Sequence, residues 1–155
     1  SSAASDVYKR QSEYSAEMRG GIALCRVVVS DEEIGSPYPD YLDVLCCMNE
    51  DAYDKYVSDM REGGCVIINR SVFGEKQFPK NVKVYGVDAM EIALELENQR
   101  GLNLVVLGAM IRATGMMDVN EFADTLEAYF NKKGKASDKN VQCFMMGYEK
   151  AEKMQ

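Results

Sequence analysis

The sequence predicts an α/β fold, a three-layer α/β/α domain built on a mostly parallel sheet. Three observations carry this. The runs "YLDVLCCMN" (41–49) and "CVIINRS" (65–71) are almost continuously apolar, as strands covered on both faces are. The stretch between them, 50–64, has Tyr53, Tyr56, Val57 and Met60 at helical spacing. A further strand-like run, 81–88, is followed by a helical one, 89–99, so strands and helices alternate along the chain.

Taken in order, "SSAASDVYKRQSE" (1–13) is polar and without periodicity, and is read as a disordered tail or non-native leader. The α/β domain is assigned to 14–155. "IALCRVVVS" (22–30) is β-branched and reads as a strand, and 31–40 is turn-rich, with Gly35, Pro37 and Pro39. In "EDAYDKYVSDMREGG", Glu50 and Asp51 suit a helix start, and Gly63 and Gly64 suit its C-cap. "NVKVYGVD" (81–88) alternates at Val82 and Val84, and "AMEIALELENQ" (89–99) is amphipathic. "LNLVVLGAMIRATG" (102–115) is apolar nearly all round, a buried helix in which Gly108 and Ala109 permit close approach to a neighbour. "DVNEFADTLEAYFNKK" (118–133) carries a stripe of Val119, Phe122, Ala123, Leu126, Tyr129 and Phe130. Residues 137–154 read as a last helix with a polar end.

Composition narrows the function. With 155 residues, of which 46% are hydrophobic, the chain suits one domain with a real core. No apolar run approaches the ~20 residues that cross a bilayer. A net charge of −7 argues against nucleic acid, which needs a basic footprint. The five cysteines include Cys25, Cys46 and Cys65 inside apolar runs, read as buried free thiols of a cytoplasmic protein. There is no C-x-x-C and no histidine, so an iron–sulfur cluster or a Cys/His zinc site on this chain is not expected. Histidine-based acid–base or nucleophile chemistry is excluded outright. The methionines, ten in all, are read as core or interface residues.

In open α/β sheets, ligands sit beyond the carboxyl ends of the strands. Those ends are marked here by Asn49, Asn69, Ser71 and Asp88. Such residues are turn and cap formers first and ligand contacts second. The glycines of "REGGC" precede a strand, the reverse of the strand–glycine–helix order of a phosphate loop. "YSAEMRGG" (14–21) is of another kind. Arg19 offers a planar fork of donors, Glu17 stands near enough to orient it, and Gly20 and Gly21 free the backbone. Locally this is a strand-entry turn with a surface ion pair, or an anchor for another chain.

"YSAEMRGG" resembles the S-Y-G-x-E-x-R-G-G motif of the gamma subunit or domain of 2-oxoacid:acceptor oxidoreductases. These are the pyruvate, 2-oxoglutarate, 2-oxoisovalerate and indolepyruvate ferredoxin oxidoreductases. Further blocks resemble that family in register: "CRVVVSDEEIGSP", "DVLCCMNEDAYDKYVSDMREGGCVIINRS", "NLVVLGAM" and "NVQCFMMGYEKA". Together they span roughly residues 14–151. Ser15 departs from the family's glycine. The family's opening strand, ending in G-x-G-G-Q-G and followed by a helix, has no counterpart in residues 1–13. The resemblance therefore implies a Rossmann-like, N-terminally truncated gamma domain. Its sheet would expose a strand edge, making the isolated chain marginally stable, dimeric through that edge or prone to aggregation.

The resemblance implies a non-catalytic subunit of an enzyme that turns a 2-oxoacid and coenzyme A into acyl-CoA, carbon dioxide and reduced ferredoxin. Thiamine diphosphate, Mg and [4Fe-4S] clusters are expected on partner subunits and none on this chain. The implied partners are alpha, beta and ferredoxin-type delta subunits, with ferredoxin reached through the complex. Tyr14, Glu17, Arg19, Gly20 and Gly21 are the expected subunit contact near the active-site cleft, with Arg19 its anchor. A separate small subunit leans toward 2-oxoglutarate or a branched-chain acid as substrate. The alternatives are a stand-alone α/β module binding a nucleotide or acyl-CoA, and a non-functional fragment of a once complete subunit.

Overall fold

The computed structural model describes residues 7–14, 23–30, 40–135 and 138–155. The chain divides into two compact units, Ser1–Leu42 and Asp43–Gln155.

In the first unit, β1 (Val7–Tyr14) and β2 (Ala23–Ser30) form a two-stranded antiparallel sheet. Their register runs from Val7 opposite Ser30 to Tyr14 opposite Ala23. Residues 7–13, read from the sequence as part of a tail, are strand. A polar segment gave no periodicity, yet it pairs because "ALCRVVVS" offers a β-branched strand with backbone groups to satisfy. Val27 and Val29 lie on one face and are exposed.

The second unit holds β3 (Leu42–Cys47), α1 (Glu50–Tyr56), β4 (Met60–Asn69), β5 (Lys83–Val87), α2 (Ala89–Glu95), α3 (Leu102–Thr114), α4 (Val119–Lys132), α5 (Asp138–Lys150) and β6 (Glu152–Lys153). Its four-stranded sheet has the order β3-β4-β5-β6. The β4–β5 pairing is parallel over five residue pairs and β5–β6 antiparallel over two, so the register is dominated by parallel pairing as predicted.

Strand alternation sorts the core. Cys65 and Ile67 of β4 and Val87 of β5 face a cluster made with α2, α3 and α5, including Ile92, Val105, Ala109 and Phe144. The opposite side chains of the same strands, Val66, Ile68 and Val84, are also fully buried, so both faces are covered. The tightest contact is α3 on α5. A Cβ added to Gly108 would collide with the Phe144 carbonyl and stand 2.7 Å from the Tyr148 nitrogen. One added to Gly147 would collide with the Val105 carbonyl. The close approach that Gly108 permits is thus met by a second glycine across the interface. α4 lays Val119, Phe122, Ala123, Leu126 and Phe130 on this core, with Phe122 stacked on Phe144 at 5.0 Å. Tyr129 departs from the predicted stripe. It is exposed, edge-on to Phe130, with the Lys133 ammonium 5.4 Å from its ring centre.

Three helices end earlier than their patterns suggest. The helix expected over 89–99 stops at Glu95, where the chain turns through Glu97 at φ +52°. The expected helix 50–64 stops at Tyr56, passes through a 3-10 turn and becomes strand from Met60. Gly63 and Gly64 are therefore not its cap. Gly63 takes φ +78° within β4, and a Cβ at Gly64 would meet the Arg61 carbonyl at 2.9 Å and the Asp43 carbonyl at 3.0 Å. The last helix stops at Lys150, because residues 152–155 find backbone partners on β5 instead. Gly115 closes α3 at φ +60°, the left-handed cap its position favours.

Candidate functional site

The parallel register builds the strand-end site. Asn69 lies opposite Val87, so both strands finish at the same edge and the next residues, Arg70 and Asp88, leave it side by side. β6 brings Glu152 to the same place by pairing it with Gly86. Arg70 then spans three elements: Nη2 lies 3.0 Å from Asp88 Oδ2 and Nη1 lies 2.9 Å from Glu152 Oε2. Its stem lies over Gly86, where a Cβ would come within 2.7 Å of Arg70 Cγ and Cδ. Burial opposes the Arg70 charge, but the hydrogen bond to Glu152 and the charge of Asp88 outweigh it and raise its pKa. Arg70 Nε is buried with no partner among the described residues.

Asn69 is the only buried polar or charged side chain among the described residues. Its Oδ1 accepts from Ala89 N at 3.1 Å and Ser71 N at 3.3 Å. Ser71 Oγ accepts from Met90 N at 3.4 Å. The first amides of α2 are thus satisfied by the end of β4, not by Asp88, whose carboxylate is engaged by Arg70. Asn49 caps α1 by accepting from Ala52 N at 2.9 Å. Of the strand-end residues, Asn69, Ser71 and Asp88 come together, and Asn49 serves a different helix. All act as caps or ion-pair partners. Arg70 and Glu152 are not evident from the sequence; the only signal is a cation directly after the last residue of a buried strand.

The loop after β4 is held over α1. Tyr53 packs edge-on to Phe73 and Phe78, with ring centres 5.9 and 5.4 Å away. Lys76 reaches Asp54 at 2.6 Å, and Gly74 N donates to Glu50 Oε1 at 2.6 Å.

Three of the described thiols, Cys47, Cys65 and Cys143, are buried and poorly suited to act as nucleophiles. Burial pushes Cys47 up to about 12, with a smaller contribution from Cys46. Burial also raises Cys65, against the pull of Lys83, and Cys143, against a hydrogen bond from Asn98. Cys46 is exposed, which corrects its reading as a buried thiol. Among the described residues no group of three His, Cys, Asp or Glu is placed to hold a metal, and the described thiols do not fit an iron–sulfur cluster.

The motif residues divide. Tyr14 ends β1 opposite Ala23, while Glu17, Arg19, Gly20 and Gly21 lie outside the described residues. No described helix is long and apolar enough to cross a membrane.

Residues 5–150 match the family model described as pyruvate ferredoxin/flavodoxin oxidoreductase. The chain is 37% identical over 144 residues to the ketoisovalerate oxidoreductase subunit VorA of Methanothermobacter marburgensis, a match covering 90% of this chain and 29% of VorA. It is 33% identical over 143 residues to the 2-oxoglutarate synthase subunit KorC of Methanocaldococcus jannaschii, covering 91% of this chain and 75% of KorC. The chain therefore spans less than a third of the one relative and three quarters of the other. Among solved structures, the gamma subunit of a keto/oxoacid ferredoxin oxidoreductase from Geobacter sulfurreducens matches with a TM-score of 0.73. That match has 24% identity and covers 94% of this chain and 80% of the other, a likeness of fold.

Proposed function

The chain belongs to the pyruvate ferredoxin/flavodoxin oxidoreductase family, and from that premise we propose that it is the gamma component of a 2-oxoacid:ferredoxin oxidoreductase. The observation that carries this reading is the match to KorC, in register over 91% of the chain and 75% of the relative. The enzyme would oxidise a 2-oxoacid in the presence of coenzyme A to acyl-CoA and carbon dioxide, with ferredoxin taking the electrons.

Among the described residues none is proposed as a reacting group in that scheme. The polar residues at its strand ends are occupied with one another, and its buried thiols are held protonated. Thiamine diphosphate, Mg and [4Fe-4S] clusters belong on the alpha, beta and ferredoxin-type delta subunits. Thiamine diphosphate would supply the electron sink for decarboxylation. The role of the gamma chain is to dock on those subunits, in the cytoplasm, and to shape the coenzyme A side of the cleft. Tyr14, Glu17, Arg19, Gly20 and Gly21 are the proposed contact, with the Arg19 guanidinium as anchor. Such a role suits a chain whose strand ends form a rigid lock. The same lock disfavours a stand-alone nucleotide or acyl-CoA module, because the α2 amides are already satisfied.

The test is Arg19→Ala in the complete complex, followed by co-purification of the subunits and by 2-oxoacid-dependent ferredoxin reduction. Weakened assembly or turnover is expected. Full assembly with full turnover would refute the contact. Failure of the unsubstituted chain to co-purify with any 2-oxoacid oxidoreductase subunit would refute the function.

A further inference from the structure

Residues 152–155 are bound to β5 more thoroughly than two residues of strand require. Met154 N donates to the Val84 carbonyl at 2.8 Å, and Val84 N donates to the Gln155 carbonyl at 3.1 Å. The Gln155 side-chain amide donates to the Pro79 carbonyl at 2.6 Å and the Val82 carbonyl at 3.1 Å. Glu152 is held by Arg70 at 2.9 Å, and Met154 fills the space above Gly86, where a Cβ would stand 2.6 Å from its sulfur. In the sheet order β3-β4-β5-β6, this segment occupies the side of β5 away from β4. Without it, "KVYGV" would present an unpaired ladder edge beside the apolar Val84 and Gly86 face, a template for strand addition.

We propose that residues 152–155 are an edge guard, latched by Arg70 through Glu152, that keeps β5 from pairing with the β5 of a second copy of this chain. A second copy of the chain carries the same opened edge. An antiparallel pairing of two identical strands about a twofold axis satisfies both edges at once. A two-residue strand suits the guard's role, since it satisfies the edge while leaving little ladder of its own to recruit another chain.

The experiment compares the full chain with one ending at Ala151 and with full-length Met154→Pro, which removes the amide that donates to Val84. Two readouts are taken: mass in solution over a range of concentrations, and hydrogen exchange at the Val84 amide. In the full chain the Val84 amide should be protected and the mass monomeric at low concentration. In both variants the mass should double as concentration rises, with Val84 unprotected in the monomer and protected again in the dimer. A folded variant that stays monomeric across the range, or keeps Val84 protected as a monomer, overturns the proposal. If the shortened chain does not fold, Met154→Pro decides by the same two readouts.

Discussion

Asn69 shows how much one side chain can settle. It is 1% exposed, and its oxygen accepts from the first amide of α2 and from Ser71. Replacing it with Ala would leave those amides without an acceptor in a buried place, at a cost of about 1–3 kcal/mol. Urea denaturation of Asn69→Ala should show a lowered midpoint with an unchanged slope, as loss of a contact without a change of fold requires. Nothing in "CVIINRS" says that this asparagine turns inward to cap a helix that begins twenty residues later. Its capping chemistry is legible in the residue type; its client helix is not. Cys47 is a second case. Apolar surroundings suggest burial for both thiols at the end of β3, yet Cys47 is buried, at 0% exposure, while its neighbour Cys46 is exposed. Cys47, Cys65 and Cys143 should resist alkylation at neutral pH in the native chain and react fully on denaturation.

At the scale of elements, the α3–α5 contact is the most sensitive to change. Gly108→Ala or Gly147→Ala would push a methyl group into the facing backbone, which has no rotamer by which to retreat. Each should destabilise by about 1–3 kcal/mol or more, read as a lowered thermal midpoint. The C-terminal turn of α2 offers the opposite opportunity. Glu97 sits at φ +52°, where its side chain costs about 1–2 kcal/mol that glycine escapes. Glycine loses about 0.5–1 kcal/mol to its own flexibility, and the exposed ion pair to Lys139 is worth little. Glu97→Gly should therefore raise stability slightly, and a lower midpoint would show that the turn is held for another reason. Helices α3 and α4 begin and end almost where their patterns place them, because Asp118 and Gly115 encode their own caps. The helix expected over 50–64 is shorter because β4 draws Met60–Gly64 into the sheet, and no local signal reports that competition.

For the whole molecule, the buried thiols give stability a pH dependence of definite sign. The Cys47 thiol titrates near 9.0 when exposed and at about 12 in the fold, so folding favours its protonated form. Its contribution is complete below the unfolded value and is lost as pH rises through the folded one. Tyr53, raised first by burial, acts in the same direction. Stability should be level through neutrality with respect to these groups and fall between pH 9 and 12 in a denaturation series. Cys47→Ser should soften that alkaline decline, and an unchanged decline would assign it to other groups.

By itself the sequence determined the α/β class, the order of most elements, the extents of α3 and α4, and the family resemblance. These rest on periodicity, residue type and short-range spacing, which survive without tertiary contacts. Only the folded structure decided that residues 7–14 pair with β2, that β4 begins at Met60 and that residues 152–155 return to β5. It alone brought Arg70, Asp88 and Glu152 together. Each of those outcomes depends on backbone or charged groups finding partners far away along the chain, and a strand edge accepts almost any sequence that satisfies its hydrogen bonds.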